Sequence, residues 1–141
     1  YGMKQCDIMK ISEEEVAFVS EQESLEKGVS FIRDNSDIKI LFVTLGNKGS
    51  IAYYKDEKIY CGGIHQEHVV DTTGAGDTFC GAVLSRILEL GTDALTEKDI
   101  REMLLFANAA ASIVVTRKGA LCSMPEPEEI RAASSLIDKV L

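Results

Sequence analysis

Between Ile38 and Gly46 the chain reads IKILFVTLG, a nearly continuous apolar run. A strand with one wet face alternates apolar and polar residues. A run without alternation has to be covered on both faces, the situation of strands in parallel, helix-flanked sheets. The neighbouring segments supply the cover. CDIMKI reads as a short strand, and a helix follows from Ser12 to about Ser20. A second helix is predicted from about Glu23 to Asp34, amphipathic through Leu25, Val29 and Ile32. GSIAYYKDEKIYCGG holds two strand-like runs around the polar turn Lys55 to Lys58 and reads as a hairpin. Three helices complete the pattern: from about Gly76 to a C′ glycine at Gly91, from a Thr96/Asp99 capping box toward Val115, and from near Pro127 to the C-terminus. Strands followed by helices around one fully apolar strand predict an α/β layered architecture.

The chain's 141 residues suit one domain with its own core. Its net charge of −8, without a basic stripe, argues against nucleic acid or an anionic membrane as the main partner. No apolar run approaches ~18 residues, so no membrane span is predicted. The opening YGMKQCDIMK has neither an initiating Met nor a signal-peptide core. Cys6, Cys61, Cys80 and Cys122 are scattered without a CxxC pair and read as reduced thiols of a cytoplasmic protein, mostly buried. His65 and His68 lack the further ligands that a zinc site needs.

The segment VVDTTGAGDTFCGAVL, Val69 to Leu84, carries the chemistry. A glycine-rich turn that opens a helix exposes amide groups with no intrahelical partner. Together with the helix dipole they form an anion site, and Gly74 and Gly76 let a phosphate approach without meeting a Cβ. Asp77, in the first turn, would repel that phosphate. Its presence makes sense if it accepts a proton from a hydroxyl attacking the phosphate. The alternative from the residues alone is a first-turn acid beside a tight turn. GxxxxGK[ST] is absent, and GAGDTF lacks the third glycine and the later acidic residue of a dinucleotide fingerprint.

DTTGAGDTFCGAVL closely resembles the C-terminal signature of the ribokinase-like (PfkB-type) carbohydrate kinases. In the same order, CDIMKISEEEVAFV resembles the family's segment entering the nucleotide side, VTLGNKGS its ATP loop, and FANAAASIVVTRKGALCSMP its adenine and cation segment. The KISEEEVAF context is most similar to fructokinases. The resemblance implies a ribokinase-like layered sheet with flanking helices, and ATP-dependent phosphorylation of a sugar hydroxyl with Mg²⁺ and a K⁺ activator. It makes Asp77 the general base, and the amides of Gly74, Ala75, Gly76 and Asp77 the anion hole. Thr44, Gly46 and Gly49 would form the ATP loop, and Asn108 would lie on the adenine side. A monovalent cation would be held by carbonyls of Thr73, Val114, Arg117 and Gly119 and by side chains of Asp71 and Ser123. Glu15 would join the Mg²⁺ network, whereas Ser12 stands where the family usually has Asn. Read without the resemblance, TLGNKG is a glycine turn before a hairpin, Asn108 a solvated residue on an alanine-rich helix, and Ser12 to Glu15 a capping box. TRKG is then a helix C-terminus whose basic residues oppose its dipole.

The family's sugar-binding Gly-Gly motif and β lid have no counterpart in these residues. The resemblance therefore implies that residues 1–141 are the C-terminal, nucleotide-binding and catalytic part of a single ribokinase-like domain. Sugar identity would then be set largely outside them. The 141 residues alone are expected to be inactive and to self-associate, with a homodimer as one form. The alternatives are a noncatalytic nucleotide-binding or dimerisation module, and a kinase for ribose, adenosine or 2-keto-3-deoxygluconate.

Overall fold

A computed structural model describes residues 2–137. The elements run β1 (Ile8–Ser12), α1 (Glu13–Ser20), α2 (Leu25–Asp34), β2 (Ile40–Thr44), β3 (Gly49–Tyr54), β4 (Glu57–Gly62), α3 (Ala75–Leu90), α4 (Glu97–Val114) and α5 (Pro127–Ile137). Short 3-10 turns cover Gly2–Lys4, Gly46–Lys48 and Leu121–Ser123. The expected last helix is present, and its extension beyond residue 137 lies outside the described residues. The second helix starts at Leu25 rather than Glu23, because the Ser24 hydroxyl accepts the Lys27 amide and sets the cap there.

The four strands form one sheet in sequence order. β1 and β2 are parallel, with Ile8 beside Ile40 and Ser12 beside Thr44. β2, β3 and β4 run antiparallel, so the apolar strand β2 has one parallel and one antiparallel neighbour. Its double cover is real: Ile40, Leu41, Phe42 and Val43 are at most 1% exposed. Alternate residues feed two separate cores. Leu41 and Val43 pack with Val16, Val29 and Ile32 under α1 and α2. Ile40 and Phe42 pack with Phe79, Val83, Met103 and Leu104 under α3 and α4. The result is a helix–sheet–helix sandwich.

This arrangement fixes the start of α3. Phe79, two residues beyond Asp77, meets Phe42 edge to face with ring centroids 6.3 Å apart and planes at 72°. Such a pair is worth about 0.5–1.5 kcal/mol beyond its buried area. At the other end, Gly91 takes φ +77° and donates its amide to the Ile87 carbonyl at 2.7 Å, closing α3 where a C′ glycine is expected. The thiols are all free, but only Cys61 is buried, and Cys122 is exposed. The expectation of mostly buried cysteines fails because Cys6 and Cys122 lie in short turns outside both cores.

Candidate active site

α1 and α4 open with complete capping boxes, and α2 opens with a serine cap. α3 does not. Its N-cap is Gly74, which has no side chain to offer the first-turn amides. Gly74 sits at φ +84°, and a Cβ there would lie 3.1 Å from the Ala120 Cβ. Glycine is thus required both by backbone angle and by the neighbouring loop. The Ala75 amide donates to the Thr72 carbonyl at 3.3 Å, and the Thr78 amide to the Gly74 carbonyl at 2.8 Å. The amides of Gly74, Gly76 and Asp77 have no acceptor among the described residues. These three N–H groups stand at the positive end of a 16-residue helix, where amides without acceptors and the helix dipole favour negative charge. The exposed Asp77 carboxylate stands in the same first turn.

Asp71 ties this turn to the loop after α4. One carboxylate oxygen accepts the Thr73 amide at 2.9 Å and the other accepts the Gly119 amide at 3.2 Å. These bonds, those from Thr73 first, hold the Asp71 carboxyl below its ordinary pKa. The Val115 carbonyl accepts the Val70 and Asp71 amides at 2.8 and 3.2 Å, a second tie between the two segments. The buried Ser123 hydroxyl donates to the Gly119 carbonyl and, at 2.8 Å, to that of Ala120. Arg117 reaches the Ser123 carbonyl at 3.4 Å and pairs with Glu129 at 2.5 Å. Thus Asp71, Thr73, Gly119 and Ser123 are joined in one hydrogen-bonded knot. The Val114 carbonyl accepts the Arg117 amide at 3.1 Å, as the final turn of α4 requires. The donor set is one carboxylate, one hydroxyl and several carbonyls, hard oxygens that fit a monovalent cation. No group of three or more His, Cys, Asp or Glu side chains gathers among the described residues.

Beside the α3 N-terminus lies a cleft of about 720 Å³. Thr44, Gly46 and Gly49 line it from the β2–β3 turn, Ala75 and Gly76 from α3, and Asn108 from α4. Three sequence-separated segments therefore share one cavity. Asn108 is not the solvated residue that a mid-helix Asn suggests. It is buried, accepts from the Ser50 hydroxyl at 2.9 Å, and donates to the carbonyls of Cys61 and Gly62 at 3.3 and 3.2 Å. Its amide joins α4 to the hairpin, a contact with no sequence signal because its partners lie 46 to 58 residues away. Ala107, Ala109 and Ala110 are fully buried, as close helix packing requires, while Ala111 borders the cleft.

Ser12 and Glu15 form the capping box: the Glu15 amide donates to the Ser12 hydroxyl at 3.2 Å, and the Ser12 amide to the Glu15 carboxylate at 2.7 Å. The backbone bond from Ser12 is the main cause of a lowered Glu15 pKa. Ser12, Glu13 and Glu14 line the cleft, and Glu13 pairs with Lys48 of the β2–β3 turn at 3.7 Å. Sequence reasoning overlooked Lys10, which lines the cleft from β1 opposite Gly76. The signal was available: Lys10 falls in step with Ile8 on a strand face that otherwise turns inward.

The model of the pfkB family of carbohydrate kinases matches residues 2–127. This chain belongs to that family. Fructokinase-1 of rice (Oryza sativa subsp. japonica) is 39% identical over 128 residues, 89% of this chain and 39% of the relative. A candidate ribokinase II from E. coli, solved with ATP and Mg²⁺, superposes with a TM-score of 0.81 at 30% identity, covering 96% of this chain and 41% of that one. A double mutant of the fructokinase from Vibrio cholerae O395, solved with fructose, ADP and potassium ion, gives a TM-score of 0.78 at 31% identity, covering 90% of this chain and 40% of that one. The mixed α/β sandwich is therefore the ribokinase-like fold, and the chain spans about two-fifths of the length of these relatives. Among the described residues, no helix is long and apolar enough to cross a membrane.

Proposed function

We propose that this chain forms the nucleotide-binding and catalytic part of an ATP-dependent sugar kinase acting on D-fructose in the cytoplasm. The observation that carries the reading is the uncapped N-terminus of α3, which pairs free amides with the Asp77 carboxylate in one helical turn. The amides of Gly74, Gly76 and Asp77 would hold the γ-phosphoryl group, and that of Ala75 would join them on release from Thr72. Such fixed donors favour the charge that develops in the transition state without further reorganisation. Asp77 accepts the proton of the attacking sugar hydroxyl. Thr44, Gly46, Gly49 and Asn108 line the nucleotide cleft. Mg²⁺, when bound with ATP, supplies positive charge to the β- and γ-phosphates, with Glu15 as an outer member of its network. K⁺ would be held by Asp71, Ser123 and the carbonyls of Thr73, Val114, Arg117 and Gly119, stiffening the loop against which Gly74 packs. Fructose as the acceptor rests on the fructokinase relatives and on the KISEEEVAF segment.

Self-association belongs to the same proposal. β1 is an edge strand among the described residues, and Phe18 and Leu88 are 85% and 88% exposed. Sedimentation of the 141-residue chain tests it, and a clean monomer would refute it. For the activity, the native gene product is assayed with ATP·Mg²⁺ against fructose, ribose, adenosine and 2-keto-3-deoxygluconate. The highest kcat/KM is expected on fructose, with faster turnover in K⁺ than in tetramethylammonium buffer. A higher kcat/KM on another acceptor overturns fructose, and no ATP-dependent phosphorylation of any acceptor overturns the kinase reading.

A further inference from the structure

On the α1 and α2 side of the sheet lies a second cavity, of about 470 Å³, between α2 and the β3–β4 hairpin. Tyr53 lies beneath it. In β3, Ala52 and Tyr54 pack under α3 and α4, so period-two alternation turns Tyr53 toward α1 and α2. There it stands across from Lys58 of β4 and is only 7% exposed. Its hydroxyl is buried and makes no hydrogen bond among the described residues. A buried polar group without a partner costs free energy, and native folds keep few of them. The charges acting on that oxygen are those of Lys58, Glu26 and Arg33, and all three side chains line the cavity. The hydroxyl is therefore aimed into it. Burial raises the Tyr53 pKa above its ordinary value, so the group remains a donor at neutral pH.

What the cavity offers an occupant is mixed. Lys58 pairs with Glu26 at 3.3 Å, and Arg33 donates to the Lys55 carbonyl. Asp34 supplies a second carboxylate and Ser30 a second hydroxyl. Two cations and two carboxylates cancel, so the cavity favours an occupant without net charge. Nor are its charges sorted to opposite ends, as a zwitterion would require: Arg33 neighbours Asp34, and Lys58 meets Glu26. Interleaved donors and acceptors fit a ligand whose groups each do both, as hydroxyls do. Val29 and Ile38 add apolar surface for its carbon-bound hydrogens. We propose that this cavity is a noncatalytic binding site for a small uncharged polyol, anchored by the Tyr53 hydroxyl. The Lys58 ammonium lies over the Tyr53 ring, 5.9 Å from its centroid, on a side chain 47% exposed. Its flexible stem lets the occupant reach the hydroxyl.

The test follows the amide resonances of Arg33 and Lys58 in the ¹⁵N-labelled native gene product during titration with D-glucitol, glycine and inorganic phosphate. Tyr53→Phe, which removes the hydroxyl and keeps the ring, is titrated beside the wild type. D-glucitol is expected to shift both resonances saturably, and glycine and phosphate to leave them in place. Tyr53→Phe should bind D-glucitol about tenfold more weakly, the size of a lost hydrogen bond. Because the hydroxyl has no partner in the fold, this variant should also melt no lower than the wild type. No saturable shift with D-glucitol would overturn the site, and a response to glycine or phosphate in its place would overturn the polyol assignment. Equal affinity in Tyr53→Phe, or a variant that melts well below the wild type, would show that the hydroxyl is no anchor and overturn the proposal.

Discussion

The starts of α3 and α4 solve the same problem in opposite ways. Each helix leaves first-turn amides without intrahelical partners. α4 closes its own end: Thr96 accepts the Asp99 amide at 3.2 Å, and Asp99 returns a bond to the Thr96 amide at 2.8 Å. α3 begins at Gly74 and leaves its end open, with Asp77 at the position that Asp99 fills in α4. Both aspartates are third residues of a helix, yet only Asp99 bonds back to its cap. Without a capping side chain, the amides and the carboxylate stay available to a ligand. The open end is less stable by itself, and Phe79 packing on Phe42, together with the Asp71 knot, holds it in place.

Breaking the open end should have the largest effect. Asp77→Asn in the native gene product is expected to lower kcat by about 10²–10⁴-fold with little change in ATP affinity, because shape is kept and basicity lost. Steady-state kinetics with independent ATP titration checks this, and a variant retaining most of its kcat removes Asp77 from the chemistry.

Closing the open end comes next. Gly74→Ser supplies a capping hydroxyl at the cost of a left-handed backbone and a Cβ 3.1 Å from Ala120. The strain should destabilise the fold by about 1–2 kcal/mol. The new side chain should weaken ATP binding at least tenfold. Denaturant melts and nucleotide titrations read the two effects separately, and unaltered ATP affinity would show that the turn does not hold phosphate.

Opening the closed end should be milder and purely structural. Thr96→Ala removes the α4 cap and is expected to cost about 1 kcal/mol of stability. ATP affinity should be unchanged, since Thr96 does not border the cleft. A loss of nucleotide binding here would blur the division between the two ends.

The smallest effect expected is acid sensitivity. Asp71, held by the Thr73 and Gly119 bonds, and Asp99, held by Thr96, both have lowered pKa values. A carboxylate depressed in the folded state stabilises it fully above the unfolded value, about 3.9 for Asp, and this stabilisation is lost as the pH falls through the folded value. Stability should therefore decline below about pH 4, and Asp71→Asn should flatten part of that decline. Melting temperatures between pH 7 and 3 test it, and identical slopes in the variant and wild type would argue that Asp71 contributes nothing.

Local and periodic features were legible in the sequence alone. Unbroken apolarity from Ile40 to Val43 required cover on both faces, S-x-x-E and T-x-x-D marked two helix starts, and G-A-G-D marked a third of another kind. Each is a relation between residues a few positions apart, set by helix and strand periods and by backbone freedom. Tertiary structure decided what depends on distant partners. It turned Asn108 from a surface residue into a buried link to Ser50 and the hairpin. It paired β2 antiparallel with β3, joined Asp71 to Gly119, and carried Lys10 to within reach of Gly76. Those contacts span tens of residues, and no local period encodes them. They exist because burying both faces of β2 folds the two helical layers together and, in doing so, brings the ends of β1, α3 and α4 to one cleft.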